Sequence, residues 1–497
     1  MNPIKIAIVG GGLSGLAVGC HLRLLGAANS SPTPQVSLFE ASDRIGGVIH
    51  TETIDTDAGT FTVDHGADMF TTNPSPAIDL CRQLDAVDGL LRPKPEGRGA
   101  MIARGNGLIR IPEGFVLMRA TKMGSMVTTP LLSIGGKLRL LRERFVRPRD
   151  ASVTDESVGS FVRRRLGAEC LDHIVAPLVA GIYTADVDRL SMAATMKPIW
   201  DMESTDGSLA KATMRRVRSG QDSTEQGSSG ARYEQFRAFP GGMIELIHTI
   251  RDGLGNERIH TDCPVESLQR TDDGRFRLSC SDQVFDRVVL ATPARISTRL
   301  LDSLKASTHE QSQVSAIDTA VTGLGSISYA STAIVVMAVP RDRIKRLPKT
   351  FGFVVPPIEN RAVLAGSFAS EKFAGRSPDD HVIVRAFVGG VLQPGILKLN
   401  DDQIVQRVAG ELGELIGLDT SEDLESFAAF TKVVRWNNAM PQYEVGHLDK
   451  VAEIESAMKQ IPGVWLQTNA IGGVGIAPVI GAAKRTAQAI LSTIPSV

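Results

Sequence analysis

The sequence predicts an α/β fold that opens with a Rossmann-like βαβ unit, and three neighbouring features predict it. Ile4-Lys5-Ile6-Ala7-Ile8-Val9 is the largely apolar run that a parallel strand buried on both faces requires. Gly10-Gly11-Gly12-Leu13-Ser14-Gly15 follows at once as a GxGxxG loop. Glu40 then ends a second predicted strand, Gln35-Val36-Ser37-Leu38-Phe39, near the usual spacing of about 20 residues. A lone GxGxxG is weak, but here it follows a strand, opens a helix and meets an acidic residue, which is the context the motif demands.

Each element has a local reason. Gly10 permits the tight turn, Gly12 lets the backbone approach a pyrophosphate, and Gly15 allows close packing of helix on strand, so that the helix N-terminus receives phosphates. Leu16, Leu22 and Leu25 give the helix its core face, and Gly26 is expected to stop it. The Glu40 carboxylate can accept hydrogen bonds from a ribose diol and would repel a 2′-phosphate. Residues 113–200 read as mainly helical, with Phe161, Leu166, Ile174 and Leu178 among the buried positions. Residues 284–290 and 333–339 read as strands, and Ile404, Val408, Leu412 and Leu415 recur at helical spacing. Near the other end, strand, glycine turn and helix return as residues 464–467, 472–475 and 482–494. Nucleotide-type signals at both ends imply a cofactor domain assembled from discontinuous segments.

Composition bounds the rest. At 497 residues the chain exceeds one ordinary core, and about three domains are expected. With 42% hydrophobic and 22% charged residues it should be globular. A net charge of −1 offers no global field to recruit nucleic acid. The five cysteines form no CxxC pair, and this odd, scattered set fits a reducing compartment. No secretory signal is visible before the first strand, and no apolar run is long enough to span a bilayer. The expected location is therefore cytoplasmic, either soluble or resting on a membrane surface. The nine histidines lack metal-ligand spacing, so no metal is expected. Residues 219–230, SGQDSTEQGSSG, read as a mobile loop.

Residues 131–149 carry Leu138, Leu141 and Phe145 at helical spacing. Lys137, Arg139, Arg142, Arg144, Arg147 and Arg149 surround them against the single acid Glu143. Such a helix either packs its apolar stripe on the core or rests on anionic lipid.

Several stretches also resemble a known family. Glu40-Ala41-Ser42-Asp43-Arg44-Ile45-Gly46-Gly47 resembles the second signature of the flavin amine oxidase and protoporphyrinogen oxidase superfamily. Val63-Asp64-His65-Gly66-Ala67-Asp68-Met69 resembles its next flavin-contacting loop, and Gly472-Gly473-Val474-Gly475-Ile476 its closing motif. Residues 176–191 with Glu203, Gly207 and Ser208, then Phe239-Pro240-Gly241-Gly242-Met243, and above all Trp436-Asn437-Asn438-Ala439-Met440-Pro441-Gln442-Tyr443 with Gly446-His447, resemble protoporphyrinogen oxidases in particular. The resemblance covers nearly the whole chain.

The resemblance implies FAD rather than NAD. Its contacts would come from Gly10, Gly11, Gly12, Leu13, Ser14 and Gly15, from Glu40, Ala41, Arg44, Gly47 and Val48, and from Gly66, Ala67, Asp68 and Met69. Val265, Trp436, Val474, Gly475 and Ile476 complete the implied set, and with no cysteine beside the closing motif the binding should be noncovalent. It further implies an FAD-binding domain over 1–92, 232–302 and 445–497, a mixed-sheet substrate domain over 93–112 and 303–444, and a helical, membrane-docking domain over 113–231. The implied activity is oxidation of protoporphyrinogen IX to protoporphyrin IX in three two-electron rounds, with O₂ as acceptor and hydrogen peroxide as product, a late step of haem biosynthesis. Coproporphyrinogen III is the alternative substrate. The implied partners are the porphyrinogen, O₂, a membrane surface and a second copy in a homodimer. No acid–base residue is required, because a methylene bridge between pyrroles can give hydride to flavin N5 while the protein orients it. Arg98 is the candidate partner for a substrate propionate, with Arg104 as the alternative.

Departures from the family pattern are Thr468-Asn469 where Gly-Asn is usual, Pro478-Val479 where Asp-Cys is usual, and Ala185 where Gly is commoner. An amine oxidase would place an acid after the closing strand, which Gln467-Thr468-Asn469 lacks. A prenyl-protein escort on the same fold would not need Gly46-Gly47 or the closing glycines.

Overall fold

Five parallel strands make the first sheet of the computed structural model, which describes residues 3–28, 33–116, 118–220 and 233–494. Their spatial order is Ile259–His260, Gln35–Phe39, Lys5–Val9, Arg287–Leu290 and Val464–Leu466. In register, Val9 lies between Phe39 and Leu290. The first strand is apolar and buried from Ile6 to Val9 because both its faces are covered. Ile6 and Ile8 join a core with the helices Leu13–Ala28, Ile244–Leu254 and Ile476–Ser492. Ala7 and Val9 join another with Ala294–Leu304, Gln311–Gly325 and His447–Met458.

The second sheet has seven strands, in the order Phe430–Pro441, Tyr329–Pro340, His381–Gly389, Val363–Phe368, Gly352–Val354, Met101–Arg104 and Gly107–Arg110. All pairings are antiparallel except the parallel one between Gly352–Val354 and Met101–Arg104. Helix Asp401–Ile416, started by an Asn400/Gln403 capping box, covers one face with Ile404, Val408, Leu412 and Leu415. The hairpin of Thr51–Thr56 and Gly59–Asp64 lays Phe61 and Val63 on the other.

Between residues 118 and 220 the chain is mainly helical, around a core that includes Phe161, Leu166, Ile174 and the half-buried Leu178. A two-stranded ribbon, Phe115–Val116 with Arg119–Ala120, precedes these helices and has no periodicity long enough to read from sequence.

Three local expectations change. Gly26 does not stop the first helix, which runs to Ala28; an added Cβ at Gly26 would lie 3.0 Å from Pro34 Cδ, so the glycine makes room for the returning chain. The strand expected over 284–290 breaks at Asp286 into Val284–Phe285, paired with Phe276–Leu278, and Arg287–Leu290, paired with Lys5–Val9. Asp286 turns there because its carboxylate accepts from the Lys5 amide at 2.8 Å. The last helix starts at Ile476 rather than at residue 482, since Pro478 falls in its first turn, where a missing N–H costs nothing. Of the expected mobile loop, residues 221–230 lie outside the described residues.

Candidate functional site

At the carboxyl end of the first strand Gly10 has φ +111°, and an added Cβ would lie 2.5 Å from the Ala291 carbonyl oxygen. A side chain is not accommodated there, and the backbone conformation is one that glycine adopts freely. The Gly12 position is different: an added Cβ would meet only Gly47 Cα, at 3.9 Å. The two glycine loops lie against each other, with the Gly46 amide donating to the Gly11 carbonyl at 2.9 Å and Gly12 bridging Gly46. The result is a cradle without side chains, at the start of a helix whose first-turn N–H groups have no intrahelical acceptors.

Glu40 stands at its rim. Its Oε2 accepts from the Gly11 amide at 2.7 Å, and its Oε1 accepts from the Ser42 amide at 3.0 Å and hydroxyl at 2.8 Å. The Glu40 carbonyl takes the Cys263 amide at 2.9 Å, which brings the segment that holds Val265 alongside. Val265 packs partly buried on the cluster that contains Phe39. Arg44 Nη2 donates to the Gly47 carbonyl at 3.1 Å and so braces the second glycine loop, with Ala41 exposed beside it. Val48 is 53% exposed, an apolar side chain left bare next to the cradle.

The loop 65–69 continues this wall. Gly66 leaves no room for a Cβ, which would meet the Val48 carbonyl oxygen at 2.5 Å. Ala67 is exposed and Met69 half-buried. Trp436 Nε1 donates to the His65 carbonyl at 2.8 Å, tying the outermost strand of the second sheet to this loop. His65 Nε2 lies 2.9 Å from Glu52 Oε2, which also takes the Lys432 ammonium; burial lowers the His65 pKa below its ordinary value. Asp68 turns its carboxylate inward to Lys372 and Arg385.

The closing motif completes the surroundings. Gly473 and Gly475 have φ +96° and +97°, Val474 packs half-buried on the helical core, and Ile476 shares one hydrophobic cluster with Leu13 and Ile49. Tyr443 stacks on His447 with 4.1 Å between ring centroids and donates its hydroxyl to the Asn469 carbonyl. Burial pushes the His447 imidazole down to about 4, so it is neutral at pH 7. Ser14 and Gly15 belong to the first turn of the first helix.

The two glycine loops, Glu40, loop 65–69 and Trp436 are thus linked by direct contacts. Arg98 is engaged elsewhere: its Nη2 donates to Glu234 Oε1 at 2.9 Å. The Arg104 guanidinium donates to the Pro130 carbonyl. Lys372, Arg376 and Arg385 escape a motif search altogether. The only trace in the sequence is that Arg385 interrupts the apolar run Val382-Ile383-Val384-Arg385-Ala386-Phe387-Val388.

The residues present fit an FAD: the side-chain-free cradle suits a pyrophosphate, the Glu40 oxygens suit a ribose diol, and bare Val48 and Ala67 suit a flat ring. When bound, FAD supplies a two-electron acceptor. Glu40→Ala removes the charged acceptor and releases the Gly11 amide. It is expected to weaken FAD binding by roughly 1.5–3 kcal/mol, seen as flavin lost on desalting; full occupancy after desalting would make Glu40 structural only.

Residues 13–491 match the family described as Flavin containing amine oxidoreductase. The coproporphyrinogen III oxidase of Bacillus subtilis is 27% identical, over 96% of each chain. That of Propionibacterium freudenreichii is 30% identical, over 98% of this chain and 90% of the relative. Protoporphyrinogen oxidase 2 of Arabidopsis thaliana is 25% identical, over 99% and 94%. A crystal structure from Exiguobacterium sp. 255-15, provisionally designated protoporphyrinogen oxidase, superposes with a TM-score of 0.77 at 26% identity over 99% of both chains. Since the match runs from the first helix to the last, the chain belongs to the flavin containing amine oxidoreductase family and is an FAD-dependent oxidoreductase.

Proposed function

We propose that this chain oxidises a porphyrinogen to the corresponding porphyrin, removing six electrons in three two-electron rounds, with O₂ as acceptor and hydrogen peroxide as product. The observation that carries the proposal is the bond from Trp436 to the His65 carbonyl. It fixes the porphyrinogen-oxidase-like segment 436–443 against the loop that resembles the family's flavin contact. The chemistry asks for orientation more than for acid–base groups. A methylene bridge between two pyrroles gives up hydride, the positive charge left behind spreads over the macrocycle, and pyrrole N–H protons are lost to water. Arg98, one-fifth exposed beside Glu234, is our choice for the propionate partner.

Protoporphyrinogen IX is the substrate read from sequence. A second reading, coproporphyrinogen III, is favoured by the names of the two bacterial relatives and their higher identities, 27% and 30% against 25% for the plant enzyme. Initial rates on the two porphyrinogens at equal concentration, followed by porphyrin fluorescence, separate them. We expect the coproporphyrinogen rate to be higher; the reverse order restores the first reading, and no oxidation of either overturns the function.

We also propose a lipid contact. Among the described residues no helix is long and apolar enough to cross a membrane. The helix Ile134–Leu141 and the following turn Arg142–Phe145 nonetheless leave Ile134 79%, Leu138 53% and Phe145 72% exposed. The stripe is therefore not packed on the core. An exposed apolar stripe flanked by arginines suits an anionic bilayer, with each basic residue near the surface adding about 1 kcal/mol. Phosphatidylglycerol vesicles should sediment the protein at low salt and release it at high salt; a protein that stays in the supernatant at low salt does not dock this way.

A further inference from the structure

Behind loop 65–69 lies a group of five buried charges. Asp68 Oδ2 accepts from Lys372 Nζ at 2.7 Å and lies 2.8 Å from Arg385 Nη1. Arg385 donates through Nη2 to the Gly66 carbonyl. Arg376 Nη2 donates to the Phe239 carbonyl at 3.0 Å and reaches Asp64 Oδ2 only at 3.7 Å. Asp64 is otherwise occupied, accepting from the Met243 amide at 2.8 Å and the Thr51 hydroxyl at 2.6 Å. None of the five side chains is more than one-tenth exposed. Glu371 adds nothing to the balance, because Arg341 takes it at 2.6 Å.

Three cations therefore face two carboxylates in the interior. Burial opposes ionisation of Asp68, yet Lys372 and Arg385 hold its carboxyl below the usual carboxylate range. Burial lowers the Lys372 ammonium. Stability does not account for such a group, since well-packed apolar side chains in place of a buried ion pair are often as stable or more so. An excess of one positive charge is useful only where negative charge appears. An FAD lying along this loop would supply it, since two electrons and one proton delivered to a flavin would add one unit of negative charge, felt strongly in a low-dielectric site.

We infer that Lys372 and Arg385 are positioning residues that fix loop 65–69, both through Asp68 and Arg385 also through the Gly66 carbonyl, and that the excess positive charge they form with Arg376 raises the reduction potential of the bound FAD. The inference rests on FAD lying along loop 65–69 and is independent of which substrate is oxidised.

The test is the midpoint potential of the bound FAD, measured without substrate by dye-coupled reduction. Lys372→Met leaves Asp68 paired with Arg385 and is expected to lower the preference for reduced over oxidised FAD about tenfold, about 30 mV for a two-electron couple. Lys372→Arg keeps the charge and should stay near wild type. Asp68→Asn removes a negative charge and should move the potential upward. A loop that is merely loosened would shift Lys372→Met and Asp68→Asn in the same direction, so opposite signs identify the charge. Arg376→Gln, which does not touch the loop, should lower the potential by a smaller step and replaces Lys372→Met should that variant fail to fold. Unchanged potentials, or shifts of one sign in cation and anion variants, overturn the inference; loss of flavin from Lys372→Arg as well as from Lys372→Met would likewise show that charge is not what matters.

Discussion

Gly15→Ala is expected to yield a colourless protein. Its new Cβ would meet the Gly10 carbonyl oxygen at less than the 3.0 Å that Cβ atoms keep, with Ile8 Cγ2 at 3.1 Å and Ala291 Cβ at 3.2 Å behind it. Two of these three neighbours belong to the sheet and its turn, so the helix itself would have to withdraw, carrying its first-turn amides away from the cradle. We expect FAD affinity to fall by at least about 100-fold, which is about 2.7 kcal/mol, together with a lower melting temperature. Gly12→Ala separates the two effects. The space there is open, so the apo protein should melt as wild type while the methyl group stands where the pyrophosphate would approach. Flavin absorbance after gel filtration and thermal unfolding of the apo forms read both; a Gly15→Ala protein that purifies fully loaded refutes the close-packing account.

Glu143→Ala is expected to destabilise the helical part of the chain strongly. Glu143 is 3% exposed. It accepts from the Ser208 hydroxyl at 2.7 Å, from the Leu209 and Ala210 amides at 2.9 Å each, and from the Arg165 guanidinium. It thus caps the helix Leu209–Arg218 with a full negative charge. Without it Arg165, fully buried, keeps only Glu203 at 3.3 Å as a carboxylate partner, and Glu203 already serves Arg149 and Arg164. Removing one partner of a buried pair costs about 3–5 kcal/mol, to be read from the denaturant midpoint at constant slope. Glu143→Gln should recover part of this by keeping some of the hydrogen bonds. A midpoint within error of wild type for Glu143→Ala would show that Arg165 finds adequate compensation.

The same residue explains why the stretch around it was only half legible in sequence. Spacing identifies Leu138, Leu141 and Phe145 as one side of a helix, but not which side faces inward. That depends on Arg165 and on the amides of 209 and 210, contributed by chain far from residue 143. The first βαβ unit is legible because all its determinants are local: the strand, the glycines and Glu40 lie within the first 40 residues. The charge group behind loop 65–69 is the opposite case. Asp68 can be read as part of a motif, but Lys372 lies 304 positions away and Arg385 shows only as an interruption of an otherwise apolar strand. Gly26 misled because a glycine near a predicted helix end has two uses, turning the chain or admitting a neighbour, and only the position of Pro34 decides between them.

The five-stranded sheet also sets an order of events during synthesis. Its first two strands are made within the first 39 residues, yet the strand at Arg287–Leu290 that flanks Lys5–Val9 follows some 250 residues later. At roughly 5–20 residues per second on the ribosome, that edge stays unpaired for tens of seconds. The sheet is finished only when Val464–Leu466 emerges, and the first helix gains its neighbour Ile476–Ser492 later still. A nascent chain of this protein therefore carries an unsealed apolar edge for as long as the residues between Phe39 and Val464 take to be made. For the same reason a truncation that removes only the last helix would not trim the fold but leave its oldest part uncovered.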